Sequence, residues 1–241
     1  MINNKNQLAQ YPENSSNNLF YKKLLEILIH DLNGSLNNII MMSSGEFDKE
    51  DHLDFIPNIN QSAQCCDSVI RGVLPLIKNE TEASITKIIL RKFVQNILDE
   101  QKSIFKKPAE ISLNIDPDQV FFYNKLFLRC IFQNLIQNAY KYSSPDRILN
   151  IDISTSLEEN YLMISVKDNG IGIDLIEYGH LLHKPFRQID SDKKGFGIGL
   201  YLVYSIMEMA EGRVLVKSEP GKGTTFSLLF PKKLLLLHSI N

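Results

Sequence analysis

The chain has 241 residues, of which 44% are hydrophobic and 22% are charged, and its formal net charge is -2. This composition is typical of a protein with one large or two modest domains, and it argues against the basic surface that nucleic acid or a polybasic membrane anchor requires. No apolar run approaches the ~20 residues of a membrane span, and three irregularly spaced cysteines predict neither a disulfide framework nor a zinc site, so we expect a cytoplasmic protein without a membrane span or a nucleic-acid partner.

Residues 19–79 are predicted to form a helical hairpin. Residues 1–18 are polar and rich in asparagine, and we expect them to be disordered. From Phe20 onward, apolar residues recur at spacings of three and four, and a second amphipathic segment ends near residue 78. One hairpin leaves much of its apolar stripe exposed. We therefore expect residues 19–79 to pair with a second copy in a homodimeric four-helix bundle.

Residues 84–233 alternate between helix and strand patterns and predict a second domain. The predicted helices lie near 89–104, 122–142 and 197–212. The predicted strands are "AEISLNI", "ILNIDISTSLE" and "NYLMISVKD", followed by a hairpin of "GRVLVKSE" and "TTFSLLFP" around the turn "PGKG". The fold class is α+β, with one sheet covered by helices, and residues 234–241 form an apolar C-terminal tail.

The helix predicted near 122–142 contains the segment "NLIQNAYKYS", which carries polar side chains at helical spacing. Asn134, Asn138 and Lys141 share one helix face because they recur at spacings of four and three. An amide oxygen suits Mg²⁺, and a lysine can meet a phosphate as a point charge. From this segment alone, an ordinary solvated helix face remains an equal alternative.

Glycine-rich segments supply the other candidate ligand contacts. "VKDNGIGI" ends a strand at Asp168, which could accept the exocyclic amine of adenine, and Gly170 and Gly172 allow close approach of the backbone, although Asp-Asn-Gly is also a common turn. "GKGTTF" places Thr224 in a hairpin turn within reach of phosphates. A third segment, "KKGFGIGL", places glycines at a helix start, where free amides attract phosphate: Gly195, Gly197 and Gly199.

In this order and at these separations, the segments resemble the ATP-binding domain of histidine kinases, an α/β sandwich of the superfamily that includes gyrase and Hsp90. The resemblance implies ATP and Mg²⁺ as cofactors, with Asn138 on the metal and Asp168 on adenine. "KPFRQ" resembles the phenylalanine segment of the kinase lid. The other ATP-binding residues implied are Asn134, Lys141, Tyr142, Gly170, Gly172, Phe186, Gly195, Gly197, Gly199 and Thr224.

The segment "LIHDLNGSL" takes its meaning from the same resemblance, since a lone histidine on a helix is usually a bystander. It matches the family's phosphoacceptor helix at His30, Asp31 and Leu36, which implies that His30 accepts the phosphoryl group and Asp31 orients the imidazole and takes its proton. Gly34 and Ser35 depart from the family pattern, which usually has Thr or Asn and then Pro.

The implied function is that of a cytoplasmic protein-histidine kinase that phosphorylates itself and then the receiver domain of a response regulator, with input from a separate sensor protein. Two alternatives are kept. A gyrase-type or Hsp90-type ATP hydrolase would carry a water-activating glutamate where this chain has Asn134, which cannot act as a general base. The second alternative is a phosphotransfer or adaptor protein with a retained but non-catalytic ATP-binding fold.

Overall fold

The described part of the molecule belongs almost entirely to one of two units. The chain divides into Met1–Asp67 and Ser68–Asn241. The structure, a computed structural model, describes residues 40, 85–105, 107–184, 187, 197 and 199–235. The predicted helical hairpin and the N-terminal segment therefore lie outside the described residues, except for Ile40, which is helical.

The second unit contains seven strands and four α-helices within the described residues. In chain order they are β1 (Ile85–Ile89), α1 (Leu90–Ile104), β2 (Ala109–Asn114), β3 (Val120–Asn124), α2 (Lys125–Lys141), β4 (Leu149–Leu157), β5 (Tyr161–Asp168), α3 (Leu175–Tyr178), α4 (Gly199–Met209), β6 (Arg213–Glu219) and β7 (Gly223–Pro231). Short 3-10 helices lie at Gly179–Leu181, directly after α3, and at Lys232–Leu235, directly after β7. The predicted β2, β4, β5, the β6–β7 hairpin and the helices α1 and α4 are confirmed.

The five predicted strands form one sheet, and the structure adds a second, two-stranded sheet that the sequence analysis did not predict. The main sheet has five strands in the order β2-β4-β5-β7-β6, and only the β2–β4 pair is parallel. The second sheet pairs β1 with β3 in antiparallel register, with Ile85 opposite Asn124. Both of its strands are short and lie more than 30 residues apart, so neither gives a hairpin signal in the sequence.

The core lies between one face of the main sheet and the apolar faces of three helices. Strand residues on that face are buried, as their period of two requires: Leu149, Ile151, Ile153, Leu162, Ile164, Val166, Phe226, Leu228 and Phe230. The helices bury stripes spaced by three or four residues against it: Leu90, Val94, Ile97 and Leu98 of α1, Leu128, Ile131, Phe132 and Leu135 of α2, and Leu202, Val203, Ile206 and Met207 of α4. This layered arrangement agrees with the expected α/β sandwich.

The start of α2 differs from the prediction, because the helix begins at Lys125 and not near residue 122. Asn124 ends β3 in an extended conformation, and its Oδ1 accepts hydrogen bonds from the amides of Leu126 and Phe127 at 2.9 and 3.0 Å. An N-cap of this kind satisfies amides that have no partner within the helix. Asn124 thus fixes where the strand stops and the site-bearing helix starts.

Candidate nucleotide-binding site

Asp168, at the end of β5, is the centre of the site. Its Oδ1 accepts hydrogen bonds from the main-chain amides of Gly170 at 2.8 Å and Thr224 at 3.2 Å. Burial raises the pKa of this carboxyl group, and the two hydrogen bonds from Gly170 and Thr224 act in the opposite direction. Among the described residues, no hydrogen bond reaches Oδ2. The structure therefore brings three predicted site residues together around one carboxylate.

The loop that follows β5 packs tightly on the end of α2. A Cβ atom at Gly170 would overlap the carbonyl oxygen of Tyr142, and that oxygen also accepts a 2.9 Å hydrogen bond from the amide of Ile171. The Nζ atom of Lys141 lies 4.9 Å from the centre of the Tyr142 ring. Only glycine allows this approach, which places Tyr142 beside the loop that carries Asp168.

The same loop also rests on the turn between β6 and β7. Gly172 has a φ of +71°, and a Cβ atom there would overlap the carbonyl of Glu219. Gly223 has a φ of +109° and lies against the main chain of Asp168 in the same way. Positive φ is costly for residues with a side chain, so these glycines set the distance between the two segments.

The polar face of α2 lies where the sequence predicted it. Asn134, Asn138 and Lys141 are half-buried, whereas the flank toward the sheet is buried. The Nδ2 atom of Asn134 donates a 2.8 Å hydrogen bond to the carbonyl of Cys130, and its Oδ1 faces Gly199, the first residue of α4. A Cβ atom at Gly199 would overlap this oxygen. The structure thus joins Asn134 to the start of α4.

The predicted lid is described only in part. Phe186 and Gly195 lie outside the described residues. Gly197 has a φ of +70°, and a Cβ atom there would overlap the main chain of Arg187. Gly197 therefore occupies a tight backbone contact that only glycine accommodates.

Two important residues of the site were missed by the sequence analysis. Arg147 donates hydrogen bonds to three main-chain carbonyls, those of Asn169, Gly170 and Gly221. Ser218 accepts a 2.8 Å hydrogen bond from the amide of Ile173, and its hydroxyl lies 2.8 Å from that of Thr224. Both side chains hold together segments that are distant in the sequence, and no local pattern reveals such contacts.

Comparison with known proteins identifies the domain. Residues 123–234 match the family described as histidine kinase-, DNA gyrase B- and HSP90-like ATPase. This match spans a little less than half of the chain. The match covers α2, the Asp168 loop, α4 and the β6–β7 hairpin, so it contains the contacts described above and confirms the resemblance seen in the sequence.

The named relatives are sensor kinases and phytochromes. The chain is 30% identical over 235 residues to the phytochrome-like protein Cph1 of Synechocystis, covering 93% of this chain and 31% of that protein. It is 29% identical over 182 residues to the sensor protein kinase WalK of Staphylococcus saprophyticus, covering 69% of this chain and 28% of that protein. The chain thus spans about a third of the length of these relatives.

Solved structures share the fold. The full-length structure of ShkA in complex with AMPPNP matches 87% of this chain and 45% of its own, with a TM-score of 0.59 at 20% identity. Identity at this level concerns the fold alone. The fold of the domain is thereby supported independently of the sequence motifs.

Two of the predicted contacts offer side-chain oxygens that suit a nucleotide and its metal ion. The carboxylate of Asp168 has an oxygen, Oδ2, beyond the one that accepts from Gly170 and Thr224, and the half-buried Asn138 offers an amide oxygen of the kind that Mg²⁺ prefers. Within the described ranges, no cluster of three or more histidine, cysteine or acidic side chains suits a metal ion. None of the helices in the described part of the chain has the length and apolar character needed to cross a membrane.

Proposed function

We propose that this chain is a cytoplasmic protein-histidine kinase that phosphorylates His30 from Mg-ATP and passes the phosphoryl group to an aspartate of a response regulator. One observation carries the proposal: the carboxylate of Asp168, the glycine loop and Thr224 converge in a domain of the histidine kinase-like ATPase family. The sensor kinases among its relatives support the same activity. The roles given to individual residues are those that the resemblance to this family implies, and the chemistry of their side chains is compatible with them.

Asp168 would orient the base. Its Oδ1 is held by two main-chain amides, so Oδ2 is directed by the fold and is the acceptor for the exocyclic amine of adenine. Tyr142 would lie beside the base, and Gly170 would let the loop that carries Asp168 approach the carbonyl of Tyr142 closely. A fixed carboxylate discriminates better than a mobile one because it cannot turn to suit a base without the amine.

The α2 face and the start of α4 would receive the phosphates. Asn138 would hold Mg²⁺, which when bound reduces the repulsion between phosphate oxygens. Asn134 and Lys141 lie one turn before and one turn after it on the same face, and Gly199 opens α4 with free amides. Gly172, Gly195, Gly197, Phe186 and Thr224 complete the proposed contacts around the nucleotide.

His30 would be the phosphoacceptor. At its reference pKa of ~6.5, an imidazole is largely neutral at pH 7 and nucleophilic. One of its nitrogens attacks the γ-phosphorus in line as the bond to the leaving ADP oxygen breaks, and Asp31 takes the imidazole proton. Such transfer depends mainly on the positioning of the reacting groups and on the balance of charge around the phosphates. The polar face of α2, with Asn134, Asn138 and Lys141, would provide both for the phosphates.

ATP hydrolysis and a non-catalytic adaptor role are the two alternatives to the proposed kinase activity. Hydrolysis of the gyrase or Hsp90 kind requires a general base at residue 134, but Asn134 is an amide that donates to Cys130. Burial raises the pKa of the Cys130 thiol to about 12, so that neighbour stays neutral and offers no base either. A non-catalytic adaptor would keep the fold without transferring phosphate, and it remains the alternative to be tested.

The proposal includes a homodimer formed by residues 19–79, with residues 84–233 as the ATP-binding domain. The apolar stripes of the hairpin support it, because they gain burial only against a second copy. Light scattering of the full chain should give twice the 27.6 kDa chain mass. A single-chain mass at micromolar concentration would contradict the dimer. Input is proposed to come from a separate sensor protein, and the segments 1–18 and 234–241 are given no role.

Incubation of the full chain with ATP separates the three functions. A kinase acquires close to one acid-labile phosphoryl group per chain and releases little phosphate. A hydrolase releases phosphate continuously, and an adaptor does neither. Sustained phosphate release without labelled protein would overturn the proposed function.

A further inference from the structure

We infer that Arg147 is a positioning residue for nucleotide recognition, because its guanidinium group fixes the two segments that hold Asp168 in place. The inference deepens the proposed function and rests on ATP binding at the Asp168 site. Arg147 lies in the loop between α2 and β4, and its side chain is not placed on the nucleotide itself. Its effect passes through the main chain of its neighbours.

The guanidinium group of Arg147 contacts two loops at once. Its Nε donates to the carbonyl of Asn169 at 2.7 Å, and its Nη2 donates to the carbonyls of Gly170 at 2.9 Å and Gly221 at 2.5 Å. Three of its five N–H donors are thus used on main-chain oxygens. Because the guanidinium group is planar and rigid, it cannot turn to break one of these hydrogen bonds without disturbing the other two. Two of these oxygens follow β5, and the third lies in the β6–β7 turn.

These same two loops supply the hydrogen bonds that orient Asp168. The amide of Gly170 donates to Asp168 Oδ1 while the carbonyl of Gly170 accepts from Arg147. The second donor to Asp168 is the amide of Thr224, in the strand that begins just after the turn at Gly221. The amide of Gly221 also donates to the carbonyl of Ile171 at 2.7 Å, which closes the contact between the loops.

Without Arg147, three carbonyls at the mouth of the site lose a charged donor. The loops can then separate, and the carboxylate of Asp168 loses its fixed direction. A ligand would have to order these segments on binding, which lowers affinity. Discrimination between bases should suffer as well, because a mobile carboxylate can turn away from a base that lacks the exocyclic amine.

Lysine cannot replace this arginine fully. Its ammonium group is a single point on a flexible stem and does not match three carbonyls that face a planar fork. A second arginine provides the matched control. Arg91 also donates to a main-chain carbonyl, that of Ile115 at 2.8 Å, but this carbonyl follows β2 and belongs to neither loop.

The experiment compares Arg147→Ala, Arg147→Lys and Arg91→Ala with the unchanged full chain. Calorimetry measures the affinity for AMPPNP, and competition measures the preference for ATP over inosine triphosphate, which has a carbonyl in place of the exocyclic amine. We expect Arg147→Ala to weaken AMPPNP binding about tenfold. It should also reduce the preference for ATP over inosine triphosphate. Arg147→Lys should fall between, and Arg91→Ala should bind normally.

Several outcomes would overturn the inference. One is unchanged affinity in Arg147→Ala, another is an equal loss for both nucleotides, and a third is full recovery in Arg147→Lys. If Arg147→Ala does not fold, as judged by circular dichroism, the base preference of Arg147→Lys decides alone. Failure of the unchanged chain to bind AMPPNP would be a different result, since it overturns the proposed function and the inference together.

Discussion

Burial and hydrogen bonding shift the pKa of the Asp168 carboxyl group in opposite directions. Burial raises its pKa, and the amides of Gly170 and Thr224 partly offset this effect. A raised pKa in the folded state means that the folded chain binds the proton more tightly than the unfolded chain. The free energy of unfolding contributed by this group therefore falls as pH rises from its ordinary value of 3.8 to the raised value.

Asp168→Asn tests this residue. We expect it to weaken ATP binding at pH 7 by 10-fold to 100-fold, since a hydrogen bond to a charged group contributes about 1.5–3 kcal/mol. Its melting temperature should not fall, because the amide oxygen still accepts both main-chain hydrogen bonds. The pH dependence of unfolding just above 3.8 should also become less steep.

A matched control is Asp152→Asn, which alters a carboxylate on the other face of the sheet that accepts from Ser112 and Asn114. This variant should bind ATP normally. Calorimetry and thermal unfolding at several pH values measure both effects. Normal ATP binding by Asp168→Asn would contradict the assignment.

The residues that could be predicted at this scale are those with a local signal. Asp168, Gly170 and Gly172 lie within five residues of one another, so the strand end and the glycines mark the loop directly. Arg147 carries no such signal, because the carbonyls it binds are 22, 23 and 74 residues away. An exposed arginine in a loop resembles any solvated side chain until the chain has folded.

Among the elements, α2 and α4 meet at the pair Asn134 and Gly199. The side-chain oxygen of Asn134 occupies the space that a Cβ atom at Gly199 would need. Gly199→Ala therefore adds an overlap, at a cost of about 1–3 kcal/mol, which exceeds the gain of up to ~1 kcal/mol in helix propensity. We expect this variant to lower both the free energy of unfolding and the affinity for ATP.

A double-mutant cycle separates the overlap from other effects. Asn134→Ala removes the obstructing oxygen, so Gly199→Ala should cost far less in that background, with a coupling of about 1–2 kcal/mol. Gly179→Ala is the control, because the nearest atom to its new Cβ would be the Leu175 Cβ at 3.7 Å. Denaturant unfolding measures all the variants. Additive costs at positions 134 and 199 would show that the two helices are not coupled there.

The helices and strands also show which features cannot be predicted from local sequence patterns. The apolar period of α2 predicted its buried flank, but the run "VFFYN" before it was assigned in part to the helix. Such a short run does not reveal whether it is strand or helix. The answer comes from pairing with β1 and from the cap at Asn124, and the pairing is not local. The second sheet was missed for the same reason.

At the scale of the whole molecule, we propose that a nucleotide-binding domain and a phosphoacceptor helix act together. Residues 123–234 of the domain match the family described as histidine kinase-, DNA gyrase B- and HSP90-like ATPase. His30 lies outside the described residues, and its role remains a proposal that rests on the sequence pattern around it. We therefore propose that the γ-phosphoryl group of ATP bound by the domain is transferred to His30 and to no other histidine.

The most direct test labels the full chain with ATP that carries a radioactive γ-phosphate. The unchanged chain and His52→Ala, which removes another histidine near the N-terminus, should acquire a label that acid removes and base does not. His30→Ala should bind AMPPNP with unchanged affinity and acquire no label. An acid-labile label on His30→Ala, or none on an unchanged chain that binds AMPPNP, would contradict the account.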